Sequence, residues 1–463
     1  MTFATHTLGC KLNFAETSHL GHQLQQLGFT LVDFHQKADI YVINTCTVTS
    51  VAEKKCRNTI RQAVSSNPDA IVAVIGCFAQ TDAEQIARIP GVDIILGNDQ
   101  KHRLPDILME IEGGGKLNVL MSKCANALIE DSHNNSISQS HIPNSQFNMT
   151  DTGDSPAQFQ FHPAYSGDDR TRTFFKIQDG CDYFCTYCAI PFARGRSRSA
   201  TIADTVAIAR QIANTGTREV VLTGVNTGTF GQHNGETLLD LLQQLDQIPQ
   251  ILRYRISSIE PNLLTDSIID FIASSRAFLP HFHIPLQAGS DKVLRLMHRR
   301  YDTALYAARL SHIKAIMPHA CIAADVITGF NGEDDDTFAA SQAYIDSLPI
   351  SYLHVFPYSD RPGTAALSLP ERVPIPVRKA RSIALHNLSD RKRHAFIQSQ
   401  MGTTRNVLWE HSPHPTPDGE TTMQGWTDNY IRLQRPFDPA LAGTITPYEI
   451  EKSTIVDNFA CDD

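Results

Sequence analysis

The chain has 463 residues, of which 41% are hydrophobic and 19% are charged, and its formal net charge is −9. This length is too great for one ordinary core and predicts two to four domains. With no apolar run long enough to span a bilayer and no signal-peptide pattern in the first ten residues, we expect a cytoplasmic protein without a membrane partner. The acidic balance does not favour nucleic-acid binding, so any RNA contact must come from local basic patches.

The first 112 residues alternate buried-strand patterns with amphipathic-helix patterns. Strands are predicted at residues 2–8, 39–44, 70–75 and 92–96, and helices at 14–27, 50–64 and 82–89. This alternation is typical of a parallel sheet covered by helices on both faces. The sequence therefore predicts an open parallel α/β domain over residues 1–112.

Three consecutive glycines at 113–115 end that pattern. The following stretch is rich in Ser, Asn, Asp, Gln and Pro, with few aliphatic residues. Such a composition buries too little apolar surface to offset the entropy of ordering the chain. A flexible linker or insertion is expected over residues 113–169.

A second α/β region is predicted over residues 170–375. Its six strand patterns lie at residues 174–178, 220–225, 254–259, 281–286, 322–328 and 353–358. Six βα units fall short of the eight that close a TIM barrel, so an open, partial (β/α)6 barrel is expected.

A connecting helix rich in basic residues follows at 376–400. Short strand patterns at 401–455, alternating with Gly and Pro, predict a small β-barrel-like module.

Ten cysteines in a large intracellular chain point to metal binding or catalysis rather than to a disulfide framework. Cys181, Cys185 and Cys188 form a CxxxCxxC motif in a loop just after a predicted strand. Soft thiolates select iron–sulfur clusters or zinc, and a structural zinc would need a fourth ligand that no usual spacing supplies. Three thiolates on a 4Fe–4S cube leave one iron open. The alternatives are buried structural cysteines or a zinc knuckle.

A second group is formed by Cys10, Cys46 and Cys77, which each lie just past the carboxyl end of one of the first three predicted strands. In an open parallel sheet these ends share one edge, where α/β folds place their ligands. The three thiols are therefore expected to meet in space, although three coincidental core cysteines are the alternative. The remaining cysteines, Cys56 and Cys321 among them, are expected to be packed bystanders.

The CxxxCxxC segment resembles the signature of the radical-SAM superfamily. That resemblance implies an open iron that binds the amino and carboxylate groups of S-adenosylmethionine (SAM), whose reductive cleavage gives a 5′-deoxyadenosyl radical. It places Tyr187 beside the adenine. The strand-end stretches 223–226, 257–260 and 285–290 match the family in outline, and the implied SAM contacts are Gly224, Glu260 and Gln287. Plain turns are the alternative for each stretch, and no catalytic residue beyond the cluster ligands is implied.

Nearly the whole chain resembles the radical-SAM methylthiotransferase family. Residues 7–13, 44–49 and 76–80 are similar to its N-terminal domain, which implies an auxiliary 4Fe–4S cluster on Cys10, Cys46 and Cys77. Residues 425–430 resemble its RNA-binding TRAM domain. Residues 10–13 and 190–199 resemble most the subgroup acting on N6-threonylcarbamoyladenosine in tRNA.

The resemblance implies addition of a methylthio group to C2 of N6-threonylcarbamoyladenosine next to the anticodon. The implied cofactors are two 4Fe–4S clusters and SAM, and the implied partners are the tRNA anticodon arm and an electron donor such as a flavodoxin or ferredoxin. Two basic groups are expected to contact RNA, namely Arg194, Arg196 and Arg198, and Arg391, Lys392 and Arg393. The alternatives are methylthiolation of isopentenyl-adenosine in tRNA or of a ribosomal protein side chain and, from another class, a non-catalytic iron–sulfur RNA-binding protein.

Overall fold

The computed structural model describes residues 1–112, 120–121, 159–167, 171–415 and 419–456. It contains an N-terminal α/β domain, a central partial barrel, a long helix and a C-terminal antiparallel sheet. Of the helices in the described residues, none combines the length and apolar character needed to cross a membrane.

The N-terminal domain is a parallel sheet with strand order β2-β1-β3-β4-β5-β6. Its strands are β1 (Thr2–Thr7), β2 (Thr30–Leu31), β3 (Ile40–Thr45), β4 (Ile71–Gly76), β5 (Ile94–Leu96) and β6 (Leu120–Met121). Its helices are α1 (Lys11–Gln26), α2 (Ser50–Ser66), α3 (Cys77–Thr81), α4 (Ala83–Ala87) and α5 (Leu104–Glu112). Side chains of α1 and α5 pack on one face of the sheet and those of α2 and α4 on the other, which confirms the predicted open α/β architecture.

The predicted linker is structured at both of its described ends. Strand β6 extends the N-terminal sheet, and β7 (Ala164–Tyr165) pairs antiparallel with the first barrel strand. The amide of Gly167 also donates to Ser18 Oγ of α1 at 3.1 Å. Residues 122–158, which make up most of the predicted linker, lie outside the described residues.

The central domain is built on parallel strands with helices packed outside them. Its strands are β8 (Arg172–Lys176), β9 (Gln178–Asp179), β10 (Arg198–Ser199), β11 (Glu219–Thr223), β12 (Arg253–Ile256), β13 (His281–His283), β14 (Cys321–Thr328) and β15 (Tyr352–Pro357). Its helices are α6 (Ile190–Arg194), α7 (Ile202–Asn214), α8 (Leu238–Asp246), α9 (Asp266–Ser274), α10 (Asp291–Leu296), α11 (Thr303–Ile316) and α12 (Asp335–Ser347). The long helix α13 (Ile375–Gln400) packs against β15.

Six of these strands form the predicted partial barrel. The ladders β8-β11-β12 and β13-β14-β15 are both parallel, and they meet through a bridge between Tyr254 and Phe278. In the described residues β15 pairs only with β14, so the barrel stays open. The outward side chains form one large core with the helices, whereas the inward Phe174 and Val221 pack on Phe14 and Ala15 of α1. Helix α1 therefore fills one side of the barrel interior.

The C-terminal module is an antiparallel sheet that closes the amino-terminal end of the barrel. Its strands are β16 (Thr404–Pro415), β17 (Thr421–Thr427), β18 (Arg432–Pro436) and β19 (Ile445–Glu449), in the order β18-β17-β16-β19. The buried guanidinium of Arg255 donates to the carbonyls of Thr427 and Asp428 at 2.7 and 3.0 Å, and it also binds Glu219. Tyr430 stacks on His281, with 4.1 Å between the ring centroids. The predicted small β module is thus present, and its 425–430 stretch faces the barrel.

Candidate active site between two cysteine trios

The fold brings Cys10, Cys46 and Cys77, here called the N-terminal trio, to one edge of the first sheet. Cys10 caps α1 after β1, Cys46 follows β3, and Cys77 begins α3 after β4, and these three strands are neighbours in the sheet. Burial raises the pKa of the Cys10 and Cys46 thiols, and the nearby Cys77 raises both further. Cys10 is the exposed member of this trio, whereas Cys46 and Cys77 are buried.

Cys181, Cys185 and Cys188, the barrel trio, lie in the loop between β9 and α6. The loop is held by backbone bonds from Cys181 N to the Gly195 carbonyl at 3.0 Å and from Cys188 N to the Cys185 carbonyl at 3.0 Å. Burial and the neighbouring Cys185 raise the pKa of Cys188 to about 12, and burial raises that of Cys181 to about 12. The three thiols therefore share one desolvated site.

The sulfur spacing distinguishes between the metals that these trios could hold. In each trio at least one pair of sulfur atoms lies more than 4.8 Å apart. Sulfur atoms around one tetrahedral zinc lie about 3.8 Å apart, given zinc–sulfur bonds of about 2.3 Å. A multi-iron cluster accepts the wider spacing, so the donor set fits 4Fe–4S clusters better than zinc.

Glycines with left-handed backbone angles precede a ligand at three places. Gly9, Gly76 and Gly180 have φ of 101°, 96° and 71°, and they stand before Cys10, Cys77 and Cys181. A Cβ on Gly9 would lie 2.9 Å from Cys46 Sγ, and one on Gly76 would overlap Asn44 Oδ1. The glycines therefore let the chain turn sharply and let the thiols approach each other. These glycines were not among the predicted site residues, although a Gly-Cys pair after a predicted strand is a visible signal in the sequence.

Polar side chains outside the trios hydrogen-bond to their sulfur atoms. Asn98 Nδ2 lies 3.5 Å from Cys77 Sγ and also donates to the Ala193 carbonyl of α6 at 2.8 Å. Arg299 Nη1 lies 3.0 Å from Cys185 Sγ. Such donors stabilise thiolate charge and tune a bound cluster. Neither Asn98 nor Arg299 could be predicted from the sequence, because both act across long separations in the chain.

Cys56 is buried in the core, and its sulfur receives the Cys46 amide at 3.3 Å. It therefore positions a residue of the N-terminal trio without joining it. Cys321 is buried at the amino-terminal end of the barrel, in contact with the C-terminal module. Cys124 and Cys461 lie outside the described residues.

The residues expected to contact SAM all lie beyond the carboxyl ends of barrel strands or in the cysteine loop. Glu260 forms a salt bridge with Arg299, whose Nη1 lies 3.4 Å from Tyr187 Oη. Gly224 follows β11, and a Cβ there would lie 2.8 Å from Gln178 Oε1. Gln287 has a φ of 66° and donates its amide to the Asp325 carbonyl at 2.8 Å.

This end of the barrel also holds polar atoms without a hydrogen-bond partner among the described residues. They are Thr223 Oγ1, both side-chain polar atoms of Asn226, Ser257 Oγ and Asn262 Oδ1. Buried polar atoms normally have partners, because an unpaired one costs about 1–3 kcal/mol. Their arrangement at strand ends fits a polar ligand such as SAM.

A buried charge network joins the N-terminal domain to the barrel. Glu16 of α1 pairs with Lys101, with Lys176 at 2.7 Å and with Arg194 at 3.1 Å. Asp179 completes it, pairing with Lys176, Arg194 and Arg198. The prediction that Arg194 contacts RNA is wrong, because its side chain is only 1% exposed and is bound within this network. Arg198 is also engaged there, whereas Arg196 remains 68% exposed.

The basic segment of α13 is likewise engaged within the protein. Arg391 pairs with Asp346 at 3.0 Å, and Lys392 donates to the carbonyls of Asp346 and Leu348 at 2.8 Å each. Arg393 lies over the ring of Tyr352, 4.9 Å from its centroid. These contacts help to hold α13 against the barrel, whereas Arg391 remains 63% exposed, so contact between this segment and RNA stays a prediction.

Two family profiles match the chain. The Uncharacterized protein family UPF0004 covers residues 2–97, and the Radical SAM superfamily covers residues 175–345. Among solved structures, the radical S-adenosylmethionine methyltransferase TsrM from Kitasatospora setae is similar, with a TM-score of 0.54 and 14% identity over 79% of this chain and 73% of that chain. Because the sequence identity to TsrM is only 14%, this structural similarity shows the fold alone.

Full-length relatives are more informative. The threonylcarbamoyladenosine tRNA methylthiotransferase MtaB of Bacillus subtilis is 34% identical over 98% of this chain and 94% of its own length. The Aquifex aeolicus protein of the same name is 34% identical over 88% and 92%. A tRNA-2-methylthio-N(6)-dimethylallyladenosine synthase of Dictyoglomus thermophilum is 30% identical over 92% and 90%. Together with the two cysteine trios, these matches show that the chain belongs to the radical-SAM tRNA methylthiotransferase family.

Proposed function

We propose that this enzyme adds a methylthio group to C2 of N6-threonylcarbamoyladenosine next to the anticodon of tRNA. The observation that carries the proposal is the bridge made by Asn98, which contacts Cys77 of the N-terminal trio and Ala193, on the helix that follows the barrel trio. One side chain thus ties a cysteine of the N-terminal trio to the helix that follows the barrel trio in the other domain. This contact supports a reaction in which a radical and a sulfur donor act at one carbon, because it joins the regions that carry the two trios.

Each of the two domains provides the cysteines for one of the two proposed clusters. The barrel trio would hold a 4Fe–4S cluster with an open iron, the N-terminal trio a second 4Fe–4S cluster, and Tyr187, Gly224, Glu260 and Gln287 would contact SAM. When bound, these groups supply the radical, the methyl group and the sulfur. The protein's part is to fix the two sites relative to each other, and the buried network around Glu16 does so across the domain boundary.

The anticodon arm needs a surface near the barrel trio, and exposed aromatic side chains provide one. Phe184 and Phe192 are 36% and 39% exposed, and Arg196 lies over the Phe184 ring, 5.0 Å from its centroid. Unpaired loop bases stack on such rings, and a nearby guanidinium attracts the phosphates. We place the RNA contact on this aromatic platform (Phe184, Phe192 and Arg196), with the C-terminal module as a second contact. An electron donor such as a flavodoxin or ferredoxin and a cytoplasmic location complete the proposal.

The choice of adenosine rests on the relatives. Identity is 30–34% to four threonylcarbamoyladenosine enzymes and 29–32% to four dimethylallyladenosine synthases, and the two highest values, 34% each, belong to the former. The test is mass spectrometry of tRNA nucleosides from a deletion strain, before and after complementation. Loss and return of 2-methylthio-N6-threonylcarbamoyladenosine is expected, whereas loss of the dimethylallyl product alone would overturn the proposal.

The metal content has its own test. Two 4Fe–4S clusters contain about eight irons per chain. Anaerobically reconstituted protein should lose about half of its iron when either trio is replaced by alanine. An unchanged iron count after replacement of the N-terminal trio would remove the second cluster.

A further inference from the structure

The side chain of Phe356 on β15 faces the interior of the barrel. Its neighbours Leu353 and Val355 lie in the core that the barrel strands share with the outer helices. His354 points the other way, so that one of its ring nitrogens lies within 4.8 Å of a carboxylate oxygen of Asp325 on β14. Because successive side chains of a strand alternate between its two faces, Phe356 shares the inner face with His354.

Phe356 is also open to solvent. It is 43% exposed, whereas Phe174 and Val221 on the inner wall are buried against α1. Among the described residues, no other ring packs against it. An aromatic ring buries a large apolar area when it is covered, so a flat ligand on Phe356 would gain that burial.

Phe356 stands at the end of the barrel where SAM is expected. Its register partner on β14 is Ile327, whose amide donates to the Gln287 carbonyl at 2.8 Å. Neighbouring strands lie about 4.8 Å apart, so the backbone of Phe356 is about 10 Å from that of Gln287. Gln287 is one of the residues expected to contact SAM. A base stacked on the Phe356 ring would therefore lie beside the proposed cofactor site.

The segment after Phe356 contacts the surroundings of the N-terminal trio. Arg361 pairs with Glu53 of α2 at 2.7 Å, and both side chains are largely buried. Thr47, which follows Cys46, donates to the same carboxylate oxygen at 2.8 Å. These contacts tie the carboxyl end of β15 to the loop that carries Cys46.

The same segment contacts the loop of the barrel trio. Ala366 donates its amide to the Thr186 carbonyl at 2.8 Å, and Thr186 lies between Cys185 and Cys188. Phe356 thus stands at the start of a segment that touches the surroundings of both trios. A ligand on its ring would be close to both proposed cluster sites.

We propose that the target adenine stacks on Phe356 inside the barrel, while a neighbouring base of the loop stays on the aromatic platform. The inference rests on the proposed function and names a residue that positions its substrate. Unpaired loop bases can be splayed out and stacked on aromatic side chains, as this position requires. Stacking uses the face of the adenine and leaves its C2 edge free for the reaction, and holding a reactant in one orientation raises the rate.

The test measures methylthiolation of an anticodon stem–loop RNA that carries N6-threonylcarbamoyladenosine, with cluster-loaded enzyme, SAM and a chemical reductant. Phe356→Ala should lower the single-turnover rate at saturating RNA about tenfold, the effect of removing one base–aromatic stack. The dissociation constant of the RNA should change less than this rate, because the RNA keeps its contacts outside the barrel. Phe356→Tyr should restore most of the rate, whereas Phe356→Leu, which is apolar but has no flat ring, should not.

Ile383→Ala is the matched control, since Ile383 is 53% exposed on α13, outside the barrel. This variant should methylthiolate the RNA at the wild-type rate. Both it and Phe356→Ala should keep full iron and should cleave SAM without RNA as the wild type does. A wild-type methylthiolation rate in Phe356→Ala would overturn the inference. Slower RNA-free cleavage of SAM in Phe356→Ala would assign the ring to SAM, and it too would overturn the inference.

Failure of the proposed function is distinguishable from failure of the inference. Methylthiolation of a dimethylallyladenosine RNA alone would refute the function, and comparing Phe356→Ala with the wild type on that RNA would still decide the role of the ring.

Crosslinking of the wild type keeps the inference testable if Phe356→Ala loses its iron. A stem–loop RNA with 8-azidoadenosine at the target position is irradiated with the cluster-loaded enzyme, and tandem mass spectrometry locates the crosslinked residue. A crosslink on β15 is expected. Crosslinks confined to the loop that carries Phe184 would overturn the inference.

Discussion

Replacing Glu16 with glutamine should loosen the joint between the N-terminal domain and the barrel. Glu16 is one of two carboxylates that face four cations in the buried network, and Asp179 is the other. The Glu16→Gln change keeps the shape of the side chain but removes the negative charge that faces Lys101 and Lys176. Breaking a buried ion pair from one side costs about 3–5 kcal/mol. For a chain of 463 residues, whose unfolding entropy is about 1 kcal/mol/K, that should lower the unfolding midpoint by roughly 3–5 °C.

The pH dependence of the effect follows from the charges. Burial opposes ionisation of Glu16, but Arg194, Lys101 and Lys176 outweigh burial and hold its pKa well below the usual 4.5. A carboxylate with a lowered folded pKa stabilises the protein above its unfolded pKa, and this contribution is lost as the pH falls towards the folded value. The difference between wild type and Glu16→Gln should therefore be full at pH 7 and should shrink below about pH 4.5.

The assay is anaerobic thermal unfolding of both proteins, with iron content measured beforehand. Glu84→Gln is the control, since Glu84 forms an exposed pair with Arg88 at 3.9 Å, and such pairs contribute at most about 1 kcal/mol. If Glu16→Gln shifts the midpoint no more than Glu84→Gln does, the network does not hold the domains together.

Three further outcomes are expected. Cys46→Ala should still cleave SAM with a chemical reductant but form no methylthio product, and loss of cleavage would refute the division of labour between the trios. Gly76→Ala should lower the free energy of unfolding by more than about 2 kcal/mol and reduce the iron content, because its Cβ would overlap Asn44 and lie 2.9 Å from the Thr45 carbonyl oxygen. The control is Gly28→Ala, since Gly28 has a similar φ of 94° and open space around it, so that this change adds only backbone strain, on the order of 1 kcal/mol. Urea unfolding measures both effects. Phe184→Ala should weaken anticodon-arm binding about tenfold in an anisotropy titration, since stacking contributes about 1–3 kcal/mol per base, and unchanged RNA affinity with slower reduction by flavodoxin would assign the aromatic platform to the electron donor.

The strand-end cysteines could be predicted because parallel strands impose a simple geometry. Cys10, Cys46 and Cys77 each follow a strand pattern, and the carboxyl ends of adjacent parallel strands must share an edge. The barrel was predictable for the same reason, since its six strands repeat one βα pattern. Local periodicity contains this information, so no long-range contact had to be known.

The charged residues were poorly predicted because their partners lie far away in the chain. Glu16 meets Lys176 and Arg194 across 160 and 178 positions, and nothing near Glu16 distinguishes it from a solvated helix residue. Arg391 and Lys392 form a basic patch in the sequence, and in the fold both also bond to Asp346 of α12, which the sequence does not indicate. Whether a cation is free depends on tertiary packing, which composition does not encode.

The position of the C-terminal module has a consequence for how the chain is made. Arg253 and Arg255 project from the amino-terminal end of the barrel, and their guanidinium groups are satisfied by the carbonyls of Asn406, Thr427 and Asp428. The ribosome synthesises those carbonyls after the barrel, so the nascent barrel emerges with one end uncovered and without these partners for the two arginines. A ribosome-bound chain that stops near residue 400 should therefore remain open to proteases at this end. Synthesis of the C-terminal module, rather than completion of the barrel strands, is the event that closes this end of the enzyme.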